Sequence, residues 1–238
     1  MSIDLPQVWA IVPAAGIGAR MAAELPKQYL PVAGKPILLH TLSRLQRHPR
    51  IASVVVALND GDRHWESVRA QLAKPVLRAS GGSERAGSVF NALAVIADRA
   101  AATDWALVHD AARPCVRSKD ISNLLAKVEQ GGHAGGLLAL PVRDTMKRAN
   151  ADQLVVDTVS RSRLWHALTP QLFRVGALRE ALDDALQAGF EVTDEASAME
   201  HQGVAPLLVA GHPDNIKITH PADLEMAELF LAAQEREQ

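Results

Sequence analysis

Three short, almost uninterrupted apolar runs, Val8 to Val12, Ile51 to Leu58 and Trp105 to Val108, limit the folds open to this chain. A strand with one face in water alternates polar and apolar side chains, whereas these runs call for cover on both faces, the condition of a parallel sheet. Segments of helical spacing separate them. Pro36 to Leu45 carries Ile37, Leu38, Leu42 and Leu45 on one stripe, with proline at a first-turn position. Asp62 to Leu72 also reads as helix, and Val76 to Ala79 as a short extended piece before Gly81-Gly82. Ser83 then stands where a cap would open a helix bearing Val89, Leu93, Ile96 and Ala97. Ile121, Leu124, Leu125 and Val128 form another stripe, stopped by Gly131-Gly132, and Ala134 to Val142 reads as a strand rich in small residues. This alternation predicts an α/β fold, an open, mostly parallel Rossmann-like sheet with helices on both faces and ligands beyond the strand carboxyl ends.

The regularity lapses between Arg143 and Phe173. Leu154-Val155-Val156, next to the polar stretch Asn150-Ala151-Asp152, suggests a hairpin rather than a crossover helix. Residues 1–238 are therefore expected to form a single domain with a protruding β-arm inserted at about 143–173. Such an arm buries little apolar surface alone, so its expected cover is the arm of a second copy, giving a homodimer. Beyond it, Val175 to Leu186 reads as helix, Ala196 to His201 as a second stripe, and Leu207 to Ala210 and Asn215 to Thr219 as short strands. Pro221 opens a last helix whose first turn holds Asp223 and Glu225, favourable against its dipole.

The chain has 238 residues, 48% hydrophobic, enough for one substantial core. A net charge of −2, with no basic block interleaved with aromatics, points away from nucleic acid and toward small-molecule substrates. The single cysteine, Cys115, allows no intrachain disulfide and reads as a small packing residue. No segment reaches membrane-spanning length and the first residues lack a signal pattern, so no membrane partner and a cytoplasmic location are expected.

The chemistry concentrates after the first strand, in Pro13-Ala14-Ala15-Gly16-Ile17-Gly18-Ala19-Arg20 and Pro26-Lys27-Gln28. Small residues let backbone N–H groups face phosphate oxygens, and Arg20 and Lys27 add cations from the flank. The loop lacks the Gly-Lys-Ser/Thr of a Walker A site, and Met21 stands where a dinucleotide fingerprint needs its third glycine or alanine. Asp110 ends the third apolar run, where a carboxylate is costly unless it meets a cation or hydrogen-bond donors. A magnesium ion is the expected partner, since one carboxylate plus a triphosphate suffices to hold it; a turn cap paired with Arg113 is the bland reading. Asp214 is open between second metal ligand and structural residue. His109, with no partner at ligand spacing, reads as a packed strand residue.

Pro13-Ala14-Ala15-Gly16-x-Gly18-x-Arg20, Pro26-Lys27-Gln28, Gly82-x-x-Arg85-x-x-Ser88-Val89, His109-Asp110-Ala111-Ala112-Arg113-Pro114 and Asp214-Asn215-x-Lys217, in this order, resemble the 2-C-methyl-D-erythritol 4-phosphate cytidylyltransferase family. The resemblance spans nearly the whole chain. It implies a nucleotidyltransferase sheet and an enzyme that joins CTP to methylerythritol phosphate, releasing pyrophosphate. It further implies that Arg20 and Lys27 stabilise the transition state and that Arg161 and Lys217 meet the acceptor phosphate. Pro13, Ala14, Ala15, Gly16, Gly18, Gly82, Arg85 and Ser88 would hold the nucleotide. Asp110, Arg113, Thr145, Thr169 and Thr193 would contact the acceptor, Thr145 from a partner's arm. A cytidylyltransferase for another polyol phosphate, such as ribitol 5-phosphate, and a non-catalytic nucleotide sensor are the competing readings.

Overall fold

The structure, a computed structural model, describes residues 5–16 and 25–237. Its elements in chain order are β1 (Val8–Pro13), β2 (Pro31–Val32), β3 (Lys35–Pro36), α1 (Ile37–Arg47), β4 (Ile51–Leu58), α2 (Trp65–Arg69), β5 (Leu77–Ser80), α3 (Arg85–Val95) and β6 (Trp105–Val108). There follow α4 (Ser118–Gln130), β7 (Gly135–Pro141), β8 (Met146–Ala149), β9 (Val155–Val159), β10 (Trp165–Arg174), α5 (Val175–Gln187), α6 (Glu195–His201), β11 (Leu207–Ala210) and α7 (Ala222–Arg236). Seven strands form one sheet in the order β11-β7-β10-β6-β1-β4-β5. Each neighbouring pair is parallel except those made by β10, which runs antiparallel to β6 and to β7.

The apolar monotony of β1 follows from its place at the centre of this sheet. Val8, Ala10 and Val12 pack with Leu38, Leu42 and Leu45 of α1 and Leu124 of α4 on one face. Trp9 and Ile11 pack with Val89 and Leu93 of α3, Phe173 and Leu178 on the other. Side chains alternate faces along a strand, so a sheet roofed by helices on both sides needs an apolar residue at every position. A third cluster, with Cys115, Val32, Ile37, Ile218, Ala227 and Leu231, seats α7. Cys115 is a buried packing thiol whose pKa burial pushes up to about 12.

From β1 the chain builds outward through β4 to β5 and then returns to lay β6 on the opposite side of β1. That reversal opens a crevice at the carboxyl ends of β1 and β6, the usual ligand position in such sheets. The loops after β1, β5 and β6 meet there.

Four expectations change. Helix α2 covers only Trp65–Arg69, because Asp62 accepts from the amides of His64 (2.9 Å) and Trp65 (3.0 Å) and holds a turn ahead of it. Ser83 does not cap α3, which is preceded by Glu84 without a side-chain cap. Residues 215–219 are a loop tied to its surroundings by bonds such as Ile218 N to Ala112 O (2.9 Å), since the edge strand β11 pairs with β7 instead. The arm is shorter than 143–173, for β10 lies in the main sheet with Leu168 to Phe173 buried. Its polar residues hid the strand, and they tolerate burial because they are bonded, Gln171 to Ala196 N and Asp194 at 2.8 Å each. What projects is the β8–β9 hairpin, which exposes Leu154, Val155 and Val156.

Candidate active site

The crevice holds a cavity of about 350 Å³ lined by Pro13, Ala14, Ala15 and Gly16 after β1, Lys27 and Gln28, Gly82 to Arg85 after β5, Ser88, Asp110 to Ala112 after β6, and Lys217. Its walls are shaped by backbone. Ala14 N continues the ladder to Ala57 O at 2.8 Å, while Gln28 Nε2 donates to Ala14 O and Asn59 Nδ2 to Ala15 O, both at 2.8 Å. These two amides fix the carbonyls of the turn, so its small side chains border open space. Ser88 Oγ accepts from Gly82 N at 3.0 Å and donates to Glu84 O at 3.1 Å, bracing the loop after β5 against α3.

Asp110 is the electrostatic hub. Oδ1 accepts from Arg85 Nε at 3.1 Å, and Oδ2 lies 3.0 Å from Lys217 Nζ and 3.3 Å from Arg113 Nε. Burial would raise its pKa, but Arg85, Lys217 and Arg113 together hold the carboxyl well below the usual carboxylate range. Arg85 also forks onto Glu195, Nη1 to Oε1 at 2.5 Å and Nη2 to Oε2 at 3.0 Å. Arg113 Nη1 donates to Asn215 O at 2.7 Å and Asn215 Nδ2 to Thr169 O at 2.8 Å, which knits the Lys217 loop to β10.

Behind the hub, His109 Nε2 lies 3.0 Å from the Arg113 carbonyl, an acceptor only, so this nitrogen carries the proton. In the neutral ring Nδ1 then accepts from the Thr169 hydroxyl at 2.9 Å, and Thr169 Oγ1 accepts from Asp110 N at 3.0 Å. Burial pushes the His109 pKa down to about 4, which keeps the ring neutral.

Of the residues expected at a site, Pro13, Ala14, Ala15, Gly16, Lys27, Gly82, Arg85, Ser88, Asp110 and Lys217 meet in the cavity. Arg113 and Thr169 stand behind Asp110. Arg161 and Thr145 are exposed at the base of the hairpin, with Arg161 Nη1 donating to the Arg143 carbonyl, and neither is among the described residues lining the cavity. Thr193 is likewise exposed, its amide donating to Ser197 Oγ at 3.1 Å. Gly18 and Arg20 lie outside the described residues. Sequence reading missed Glu195 and Asn59 and gave Gln28, though part of a motif, no role of its own; their partners lie 110, 44 and 14 residues away.

The magnesium expectation does not fit Asp110 as placed. Both its oxygens are shared among three cations, which repel a divalent ion, and among the described residues no group of three or more His, Cys, Asp or Glu could hold a metal. The pairing with Arg113 is the arrangement present. Asp214 Oδ2 accepts from Arg117 Nε at 2.8 Å and Gln234 Nε2 at 2.7 Å, and Asp214 is not among the described residues lining the cavity.

A sequence model of the 2-C-methyl-D-erythritol 4-phosphate cytidylyltransferase (IspD) family matches residues 8–233. The chain belongs to this family. The IspD-family cytidylyltransferase of Vibrio vulnificus is 49% identical to it over 234 residues, covering 98% of each chain. That of Shewanella oneidensis is 57% identical over 225 residues, 94% of this chain and 88% of the relative. The crystal structure of the Francisella tularensis IspD superposes with a TM-score of 0.82 at 37% identity, covering 94% of this chain and 99% of that one. The order of motifs that marked the resemblance therefore runs through a shared fold as well as a shared sequence.

Proposed function

We infer that the chain transfers the cytidylyl group of CTP to 2-C-methyl-D-erythritol 4-phosphate, forming 4-diphosphocytidyl-2-C-methyl-D-erythritol and pyrophosphate on the non-mevalonate route to isoprenoid precursors. The observation that carries this reading is the meeting of Lys27 and Lys217, from opposite ends of the chain, on one cavity beside the small-residue turn after β1. Family membership points to the acceptor.

An oxygen of the acceptor phosphate forms a bond to the α-phosphorus of CTP as the bond from that phosphorus to the bridging oxygen breaks and pyrophosphate leaves in line. The acceptor phosphate has a second pKa near about 6, is mostly dianionic at neutral pH, and needs no general base. What it needs is charge screening, because two anions must come within bonding distance. Lys27 meets the α-phosphate, and Lys217, aimed by its contact with Asp110, meets the acceptor phosphate. Family resemblance assigns Arg20 a share in stabilising the same transition state. The small side chains of Ala14 and Ala15 and the bare Gly82 leave room for the cytosine edge, with Ser88 holding Gly82 in place. A magnesium ion accompanying CTP would take phosphate oxygens and water, the hard donors it prefers.

Arg161 and Thr145 reach an acceptor only if the hairpin of one subunit serves the cavity of another, which supports a homodimer joined through the exposed valines of β9. Among the described residues no helix is long and apolar enough to cross a membrane. A single buried thiol requires no oxidising compartment, in keeping with a cytoplasmic setting.

Pyrophosphate release is the test. CTP with methylerythritol phosphate is expected to turn over, and turnover with ribitol 5-phosphate alone would overturn the acceptor assignment. Lys27→Ala is expected to lower kcat by about 100-fold or more while CTP binding stays within about tenfold, the mark of a contact made in the transition state.

A further inference from the structure

Glu195 opens α6 and is completely excluded from solvent. A buried carboxylate is costly, and the helix start does not ask for one, since Asp194 already caps it in a reciprocal box with Ser197. The carboxylate oxygens of Glu195 face a single side chain, Arg85, at 2.5 and 3.0 Å. Arg85 and Asp110 line the cavity, while Glu195 stands one shell behind them.

We propose that Glu195 is a positioning residue for cytidylyl transfer, fixing which edge of Arg85 faces Asp110 and thereby reserving one Asp110 oxygen for Lys217. The proposal rests on reading the cavity as the transfer site. With both terminal nitrogens of Arg85 engaged by Glu195, the guanidinium offers Asp110 only Nε, at 3.1 Å on Oδ1. Oδ2 is left to Lys217 at 3.0 Å and Arg113 at 3.3 Å. Without the Glu195 charge, Arg85 is free to turn its fork onto Asp110, the two-bond geometry that guanidinium and carboxylate prefer. Lys217 then loses its holding point, and the cation that meets the acceptor phosphate is no longer aimed.

Glu195→Gln keeps the shape and removes the charge. Its kcat, corrected for folded enzyme, is expected to fall at least tenfold while KM for CTP changes by less than about threefold, because the defect lies on the acceptor side. Glu195→Asp, which keeps the charge on a shorter arm, is expected to have a kcat between that of Glu195→Gln and the parent. Should Glu195→Gln not fold, a lowered kcat with unchanged CTP KM in Glu195→Asp carries the same test. A merely structural role predicts lower stability with unchanged kcat per folded molecule, and that result overturns the proposal. So does a Glu195→Asp enzyme no better than Glu195→Gln. Failure of the parent protein to release pyrophosphate from CTP and methylerythritol phosphate would instead sink the activity itself.

Discussion

At residue 82 there is no room for a methyl group. A Cβ there would sit 2.7 Å from Gly87 C, 2.8 Å from Gly87 Cα and 2.8 Å from Ser88 N, all backbone of α3 that cannot swing aside. The close approach lets Gly82 N reach Ser88 Oγ and sets the rim of the cavity where the base is expected. Gly82→Ala should therefore cost about 1–3 kcal/mol. The melting midpoint should fall by about 2–4 °C for each kcal/mol, and KM for CTP should rise several-fold. Gly61→Ala, with nothing within 4 Å of the added carbon, should leave both unchanged. Equal melting curves for the two variants would show that the loop after β5 yields freely. The sequence revealed that Gly82, Arg85 and Ser88 belong together because they sit on one loop and helix start. It could not reveal Glu195, for its meaning resides in a guanidinium 110 residues away.

Among the elements, the strands buried on both faces were legible and the others less so. β1, β4 and β6 are apolar at nearly every position because helices cover both faces, and their bounds read directly from composition. β10 was obscured because Thr169 and Gln171 are buried polar residues, tolerated only through partners just after β6 and on α6 that sequence spacing does not display. The hairpin was legible as far as Asn150, whose Oδ1 accepts from Asp152 N at 3.1 Å and Leu154 N at 2.9 Å. Its strands are exposed almost throughout, with Val155 and Val156 at 62% and 63% exposure beside an irregularity in the pairing of the two strands. A second hairpin packed on these valines, as in the proposed homodimer, would cover them. The double variant Val155→Asp and Val156→Asp is expected to sediment as a monomer with an unchanged far-ultraviolet dichroism spectrum. It should also lose most turnover at saturating CTP, because Arg161 and Thr145 sit at the base of the same element. A dimer that survives both charges would separate the hairpin from subunit association.

For the whole molecule, the arrangement that aims the hub also ties stability to pH. The relay from Asp110 N through Thr169 to His109 and on to the Arg113 carbonyl uses every donor once when the imidazole is neutral. A proton on Nδ1 would force the Thr169 hydroxyl to turn away. His109 has its folded pKa pushed down to about 4 by burial, against an unfolded value near 6.5. Between these values the unfolded chain holds the extra proton, so stability rises with pH and is lost as pH falls from about 6.5 toward 4, by roughly 3 kcal/mol at the lower end. His40 and His48, lowered chiefly by burial, act with the same sign. Glu195, which burial raises against the pull of Arg85, has the opposite sign and offsets part of the loss. Asp110, held low by its cations, adds its own loss only below about 3.8, beneath the histidine range. Urea midpoints should fall steadily from pH 7.5 to pH 5. Over the same range the ring signals of His109 in the folded protein should not titrate. A flat midpoint, or a His109 ring that titrates near 6.5 while the fold persists, would mean that the relay tolerates a proton and that the hub of the site is less dry than its burial indicates.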